Sequence, residues 1–299
     1  MSSKKVEIAI MADIHSNYEA FQTCVCEARK RGIQQYIFLG DYLGDLAYPQ
    51  KTLQLIRKMQ QQYSCMFLRG NKEEYWINHR KNKDEVWKSG CSGTGMLYYN
   101  YQNISDKDID FFESMPISKV VAFDGYPEFV VCHGSPFRVN QSMRPDYDYI
   151  DDLIEKLTTE MTICAHFHIQ MDYIRNGKRV LNPGSIGVPL QSAGKAQFLI
   201  LSGNNGKWDT EFLSVSYDVD QAIKQMDEEE LYKKAPGWYK MTKHLLRTGK
   251  ESHASVLARA AELYQAAYND NHLLCEAGHM AGAGIPEKYW EMAIAERLQ

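Results

Sequence analysis

The chain has 299 residues, of which 44% are hydrophobic and 24% are charged, and this composition is typical of soluble globular proteins. Its length suits one large domain, or one domain with an appendage. The formal net charge of −4 gives no reason to expect nucleic acid or a membrane surface as a partner, so an anionic substrate needs a site with local positive charge.

The cysteine pattern and the first residues indicate a cellular compartment. Seven cysteines are present, an odd number, and none forms a CxxC pair. Reduced thiols in a cytosolic protein explain this better than a disulfide framework or a cysteine zinc site. The opening MSSKKVEIAIMADIH has Glu7 and Asp13 within its short apolar run, so it predicts neither a signal peptide nor a membrane span. We therefore expect a cytoplasmic protein.

The first part of the chain alternates predicted strands and helices. Its strands are predicted from three apolar runs, VEIAIMA (6–12), QYIFLG (35–40) and CMFLRG (65–70). Asn17 can cap a helix that ends near Gly32, and further helices are expected around 52–60 and from Asn71. Repeated strand–loop–helix units favour a mainly parallel sheet covered by helices.

Short strands separated by hairpin turns follow from about residue 117. The strands are predicted from ISKVVAF, EFVVCHG, TICAHFH, DYIRNG, KRVLNPGS, AQFLILSG and KWDTEFLSV. Asn176-Gly177 is one of the turn signals between them. We predict that they form a second, more antiparallel sheet packed on the first. Residues 1–216 would then be one α/β domain, a layered α/β/β/α sandwich of two mixed sheets flanked by helices.

The strand pattern stops after about residue 217. Residues 218–299 instead place apolar side chains at helical spacing, interrupted at Pro236-Gly237 and at GAGIP (282–286). We predict a helical C-terminal appendage over 217–299. Its sequence leaves open whether it caps a site and restricts substrate size, or mediates association into a homo-oligomer.

Polar side chains follow the carboxyl ends of five predicted strands, the edge at which open α/β sheets bind ligands. They are Asp13, His15, Asp41, Asn71, His133, His166 and His168. Each alone is weak evidence, because an Asp or His after a strand is more often a turn residue or an ordinary hydrogen-bonded side chain. Together they offer seven oxygen and nitrogen donors, enough for two divalent cations. Imidazole with carboxylate favours Mn²⁺, Fe or Zn²⁺.

The order of the motifs resembles the calcineurin-like metallophosphoesterase superfamily, and within it the small prokaryotic phosphodiesterase branch. The motifs are DIH (13–15), GDYLG (40–44), GNKE (70–73), CHGSP (132–136), AHFH (165–168) and NPGSIG (182–187). The resemblance covers residues 6 to about 215. It does not extend to the C-terminal helices.

The resemblance implies a role for each donor. One ion would be held by Asp13, His15 and His168, the second by Asn71, His133 and His166, and Asp41 would bridge the two. Two such ions would lower the pKa of a shared water, and the resulting hydroxide would attack phosphorus in line. Asn71 would help to stabilise the transition state.

One motif departs from the family pattern, because Lys72 stands where many members have a histidine that protonates the leaving group. Lys72 would contact phosphate, or donate a proton if nearby cations depress its pKa, unless it is simply a solvated lysine. Asn17 and Arg144 are further candidates for substrate contact, although helix capping and a surface position are the simpler interpretations. Asp45 is most simply a solvated loop carboxylate.

The leading hypothesis is a phosphodiesterase that acts on a small phosphoester substrate, of nucleotide type or a dinucleoside polyphosphate. A phosphomonoesterase, including a phosphoprotein phosphatase, is the alternative within the same enzyme class. A catalytically silent protein-binding scaffold is the alternative from a different class. The complete set of expected metal ligands favours an enzyme.

Overall fold

The computed structural model describes residues 6–82, 87–268 and 284–299. Within them, ten strands form two five-stranded sheets. The strands are β1 Glu7–Met11, β2 Gln35–Phe38, β3 Ser64–Phe67, β4 Ser118–Val121, β5 Phe129–Cys132, β6 Met161–Ile163, β7 Gln170–Arg175, β8 Lys178–Pro183, β9 Lys195–Asn204 and β10 Lys207–Ser216. Each apolar run singled out in the sequence forms one of these strands.

The first sheet has the strand order β10-β9-β1-β2-β3. β1, β2 and β3 run parallel, as predicted, and β9 pairs antiparallel with both β1 and β10. The expectation that β9 and β10 belong to the second sheet is therefore wrong. The reason is that β9 is apolar on both faces: Phe198 and Ile200 pack towards the helices, and Leu199 and Leu201 pack between the sheets. Such a strand is stable inside a covered sheet.

The second sheet has the order β4-β5-β6-β8-β7, with β5, β6 and β8 parallel and an antiparallel strand at each edge. Apolar side chains such as Ile10, Leu39, Val131 and Ile163 fill the space between the two sheets. The predicted α/β sandwich of two mixed sheets flanked by helices is confirmed. Its topology brings the carboxyl ends of parallel strands from both sheets to one edge.

Helices cover the sheets and continue to the C-terminal end. Those described are α1 Tyr18–Lys30, α2 Pro49–Gln62, α3 Asn71–Lys81, α4 Gly95–Gln102, α5 Asp106–Ser114, α6 Ile150–Glu155, α7 Val219–Glu228, α8 Leu231–Lys234, α9 Pro236–Thr248, α10 His253–Tyr268 and α11 Glu287–Arg297. The predicted cap of α1 is present, because Asn17 Oδ1 accepts a hydrogen bond from the Ala20 N–H at 3.1 Å.

The C-terminal helices pack on the loops at the carboxyl ends of the strands. Met226 and Leu245, from α7 and α9, share an apolar cluster with Leu46, which follows β2, and with Val188, which follows β8. The predicted division at residue 217 falls between β10 and α7. Among the described residues, no helix is long and apolar enough to cross a membrane.

Candidate metal centre

The structure brings the seven predicted donors together at one edge of the sandwich. They follow β1, β2 and β3 of the first sheet and β5 and β6 of the second. Five of them, Asp13, His15, Asp41, Asn71 and His133, are buried, and His166 and His168 are partly exposed. The cluster therefore lies where the two sheets meet, with its more accessible side at the two histidines after β6.

The first group of donors is Asp13, His15 and His168, and their ligand atoms lie close enough to hold one metal ion. Asp13 Oδ1 is 3.4 Å from His168 Nε2 and 3.8 Å from His15 Nε2. The two Nε2 atoms are 3.3 Å apart. These are the residues that the family resemblance implies for one ion.

The second group with ligand atoms close enough for one ion is Asp13, Asp41 and His133. His133 Nε2 lies 3.5 Å from Asp41 Oδ1 and 3.0 Å from Asn71 Oδ1, and the His133 and His166 rings are 5.2 Å apart. Asp41 Oδ2 is also 3.6 Å from His15 Nε2, so its carboxylate lies between the two groups. That is the position a bridging ligand requires.

The His133 ring is oriented by a hydrogen bond at its Nδ1 atom. Nδ1 lies 2.8 Å from the carbonyl oxygen of Leu39, which can only accept, so Nδ1 carries the proton. Nε2, on the opposite side of the ring, faces the oxygens of Asp41 and Asn71. A cation among these acceptors would satisfy all of them, and such backing of a ligand histidine by a carbonyl is usual in metal sites.

Asp13 also fits a metal ligand, because its Oδ1 atom is buried and accepts no hydrogen bond. Its Oδ2 atom accepts from the His166 N–H at 3.2 Å. Burial raises the pKa of Asp13, but the neighbouring His168 and His15 outweigh it and hold the pKa well below its usual value. Asp13 therefore presents to the centre a charged oxygen that accepts no hydrogen bond, which is the form in which a carboxylate binds a metal ion.

The pKa values of two of the candidate ligand histidines are shifted in opposite directions. For His15, burial disfavours the cation, but Asp45 and Asp13 outweigh it and raise the pKa to about 10. For His166, burial together with His133 lowers the pKa to about 4. His166 is thus neutral at pH 7 and ready to bind a metal, whereas His15 must lose a proton to do so.

The backbone of Asp41 is fixed by a residue to which the sequence analysis gave no role. Glu73, the last residue of GNKE, is fully buried and accepts hydrogen bonds from the backbone N–H groups of Asp41, Tyr42 and Gly70, at 2.8–2.9 Å. Burial and the charge of Asp41 raise the pKa of Glu73 to about 7. In return, Asp41 Oδ1 accepts from the Lys72 N–H at 2.8 Å. The loops after β2 and β3 are held together by these bonds.

Backbone strain is concentrated at the predicted donors. Five of the seven have a left-handed backbone: Asp13 (φ 53°), His15 (50°), Asp41 (53°), His166 (76°) and His168 (57°). Each such residue costs about 1–3 kcal/mol and persists only where surrounding contacts enforce it. Gly40, with φ 100°, allows the close approach, since a Cβ there would lie 2.5 Å from the Gly70 nitrogen.

Asp45 is not the solvated carboxylate that we expected. It is 2% exposed, and its Oδ1 accepts from Lys72 Nζ at 3.2 Å and from Trp238 Nε1 at 2.8 Å. Lys72 is likewise no solvated lysine, since only 12% of its side chain is exposed. Burial lowers the pKa of Lys72, but Asp45 and Asp41 outweigh it and raise the pKa above its usual value. The shift in the pKa of Lys72 is therefore opposite to the depression that proton donation requires.

The two remaining substrate candidates differ in position. Asn17 is 1% exposed and donates to the carbonyl of Gly187 at 2.8 Å and to the Tyr217 hydroxyl at 3.1 Å. With its oxygen capping α1, it has no free N–H for a substrate, so the expected substrate contact is corrected to a structural role. Arg144 does line the cavity beside the donors, paired with Asp146 at 2.7 and 2.9 Å.

A cavity of about 270 Å³ opens beside the donors. His15, Asp41, Asn71 and Lys72 line one side, and the C-terminal helices supply Trp238, Leu245, His253 and Leu257 to the other. The sequence had left the place of these helices open, and the structure shows them capping the site. Association into a homo-oligomer through them stays a prediction.

Residues 6–206 match the model of the calcineurin-like phosphoesterase superfamily domain. A curated relative, the uncharacterized protein MJ0912 of Methanocaldococcus jannaschii, is 26% identical over 251 residues, which cover 78% of this chain and 96% of that protein.

Two solved structures share the fold. The hypothetical protein PH1004 from Pyrococcus horikoshii is 20% identical with a TM-score of 0.66, and the match covers 82% of this chain and 99% of that one. A metallophosphoesterase from Sphaerobacter thermophilus is 18% identical with a TM-score of 0.62, covering 79% of this chain and 98% of the other.

Proposed function

Since the chain belongs to the calcineurin-like phosphoesterase superfamily, we propose that it is a phosphodiesterase that requires two divalent transition metal ions and acts on small nucleotide-type substrates, including dinucleoside polyphosphates. One observation carries this proposal. Asp13 Oδ1, buried and without a hydrogen-bond donor, faces the ring nitrogens of His15, His133 and His168 at 3.4–3.9 Å. A carboxylate oxygen in that setting is suited to coordinate a metal ion.

The donor set fits Mn²⁺, Fe or Zn²⁺, because it combines imidazoles with carboxylates and contains no thiolate. A bound pair of such ions lowers the pKa of a shared water and stabilises charge on the phosphoryl oxygens. Asp13 and Asp41 would contribute −2 against the +4 of two ions, so the loaded centre would keep a net positive charge. That charge would attract an anionic phosphodiester despite the negative charge of the whole chain.

The chain's own side chains would orient the substrate next to this centre. Lys72 Nζ is held by Asp45, and its raised pKa keeps the ammonium charged at neutral pH. It is therefore suited to bind a phosphate oxygen and to stabilise charge that develops there. Arg144 adds a second cation along the cavity wall, attenuated by its pairing with Asp146.

The cavity supports a small substrate over a phosphoprotein. Its volume of about 270 Å³ is close to the lower end of small-ligand pockets, about 300–1,000 Å³. Trp238 and Leu257 of the C-terminal helices form part of its wall, so a side chain of a folded protein would have to reach the centre past them. The preference for diesters is supported by the likeness of the motifs to small prokaryotic phosphodiesterases.

The test compares diester and monoester hydrolysis by protein that has been stripped of metal and reloaded with Mn²⁺. We expect faster turnover of bis-p-nitrophenyl phosphate than of p-nitrophenyl phosphate, and turnover of dinucleoside polyphosphates but not of a phosphorylated protein. Asp41→Asn, which removes the negative charge between the two groups of donors, should abolish turnover of every substrate. Faster monoester turnover would favour a phosphatase, and no turnover with Mn²⁺ bound would favour the scaffold.

A further inference from the structure

Asp45 connects the metal centre to the C-terminal helices. Its Oδ2 atom lies 3.1 Å from His15 Nδ1, on the side of the ring away from the other donors. At this distance the carboxylate and the imidazole form a close electrostatic contact. Its Oδ1 atom accepts from Lys72 Nζ and from Trp238 Nε1. One buried carboxylate thus contacts a candidate metal ligand, a candidate phosphate-binding residue and the C-terminal helices.

Trp238, the residue of the C-terminal helices that donates a hydrogen bond to Asp45, is itself held by several contacts. Trp238, in α9, stacks on His253, the first residue of α10, with ring centroids 4.7 Å apart and an interplanar angle of 15°. His253 Nε2 lies 2.8 Å from the hydroxyl of Thr242 in α9, and His253 Nδ1 lies 3.8 Å from Asp45 Oδ2. The Trp238 ring thus packs against a fixed partner with its N–H directed at Asp45 Oδ1.

From these contacts we infer that Trp238 is a positioning residue: its N–H holds the Asp45 carboxylate between His15 and Lys72, so that the C-terminal helices complete the metal centre rather than only covering it. The inference rests on the proposed two-metal function. Without the Trp238 donor, Lys72 would be the remaining hydrogen-bond donor to Asp45 Oδ1 among the described contacts. The carboxylate would then be free to turn away from His15.

The expected consequence concerns metal binding first. Partners of ligand histidines orient the ring and raise its basicity, and their loss typically weakens metal affinity or activity by about 10–100-fold. Trp238 acts one step further out than Asp45, so its effect should lie at the lower end of that range. Since the same carboxylate also fixes Lys72, turnover should fall as well, even when metal is saturating.

The test uses Trp238→Phe, which keeps an aromatic ring against His253 and near Lys72 Nζ but removes the N–H together with part of the indole ring. Trp208→Phe is the matched control, because the Trp208 N–H donates to the Pro127 carbonyl at the same 2.8 Å, at the far end of β10 from the cap. Asp45→Asn is the direct variant. Mn²⁺ affinity is measured by equilibrium dialysis on the full chain, and kcat and KM on bis-p-nitrophenyl phosphate follow at saturating Mn²⁺.

We expect Trp238→Phe to weaken Mn²⁺ binding about 10-fold and to lower kcat about 10-fold with little change in KM. Trp208→Phe should change each value less than 2-fold. Asp45→Asn should weaken Mn²⁺ binding and lower kcat more than Trp238→Phe does. Equal Mn²⁺ affinities for the two tryptophan variants would overturn the inference. Because this readout needs no turnover, a chain that binds Mn²⁺ but hydrolyses nothing would refute the proposed function alone. A wild-type chain that binds no Mn²⁺ would refute both.

Discussion

His168 Nε2 lies 3.4 Å from Asp13 Oδ1, a buried oxygen that accepts no hydrogen bond. The two residues come from different sheets, since Asp13 follows β1 and His168 follows β6. A cation shared by them would therefore connect the two halves of the sandwich.

Removal of metal should destabilise the chain. A ligand that binds only the folded state adds about 2.7 kcal/mol of stability at a concentration 100 times its Kd. We expect the thermal midpoint to fall in EDTA and to recover with Mn²⁺, with up to two equivalents bound. His133→Gln should blunt the recovery, and an identical response from wild type and variant would count against a metal site at His133.

Glycine should be tolerated better than alanine at His168, the reverse of the usual order. Its φ of 57° costs a non-glycine residue about 1–2 kcal/mol, which exceeds the extra entropy glycine loses on folding. In EDTA we expect His168→Gly to be more stable to urea than His168→Ala by roughly 0.5–1 kcal/mol. The control pair is Lys58→Gly and Lys58→Ala, in the middle of α2, where the glycine variant should be less stable by about 1 kcal/mol.

Lys72→Met should reduce kcat/KM about 10–100-fold, the worth of a charged hydrogen bond of roughly 1.5–3 kcal/mol. Because the pKa of Lys72 is raised, we expect a phosphate contact, and the loss should be the same for good and poor leaving groups. A series of aryl phosphodiesters measures this. A loss that grows with the pKa of the leaving alcohol would instead assign proton donation to Lys72. Lys58→Met serves as the control.

The free energy of unfolding should decrease as the pH is lowered, because of His253. Burial lowers its pKa to about 4, so between pH 6.5 and 4 the unfolded chain binds a proton that the folded chain does not. The stability His253 contributes is complete above pH 6.5 and is lost as the pH falls towards 4, by about 2 kcal/mol at pH 5.

His253→Gln removes that proton, while its amide can still bond to Thr242. Urea unfolding is measured in the presence of EDTA. As the pH is lowered from 7 to 5, the free energy of unfolding of the wild type should decrease by about 2 kcal/mol more than that of the variant. The difference between the two proteins isolates His253 from His166, whose pKa is also low. Parallel pH profiles would contradict the assignment.

The sequence was most informative about local structure. Strands alternate or are continuously apolar and end at Gly, Asp, Asn or His, so both their positions and the polar residues after them could be read directly. The strand AQFLILSG was placed in the wrong sheet because its pairing with β1 is set by tertiary contacts, which local patterns do not report.

Residues that act through long-range contacts were missed. Asp45 and Trp238 are 193 residues apart in the chain, and neither lies in a motif that signals the other. Glu73 accepts from the N–H of Gly70, three residues earlier, as the glutamate of a capping box does, but the Ser or Thr that signals such a box in a sequence is absent. For Asn17, helix capping was the simpler interpretation, and its long-range hydrogen bonds to Gly187 and Tyr217 were not visible in the sequence.

The order of these parts along the chain has a consequence for synthesis. The two sheets that position the seven donors are complete only at Ser216, the end of β10, and the helices that bear Trp238 and His253 emerge from the ribosome after it. At roughly 5–20 residues per second, one to several seconds separate the two events. A nascent chain thus passes through a stage in which both sheets have emerged and the helices that close over the donor cluster have not.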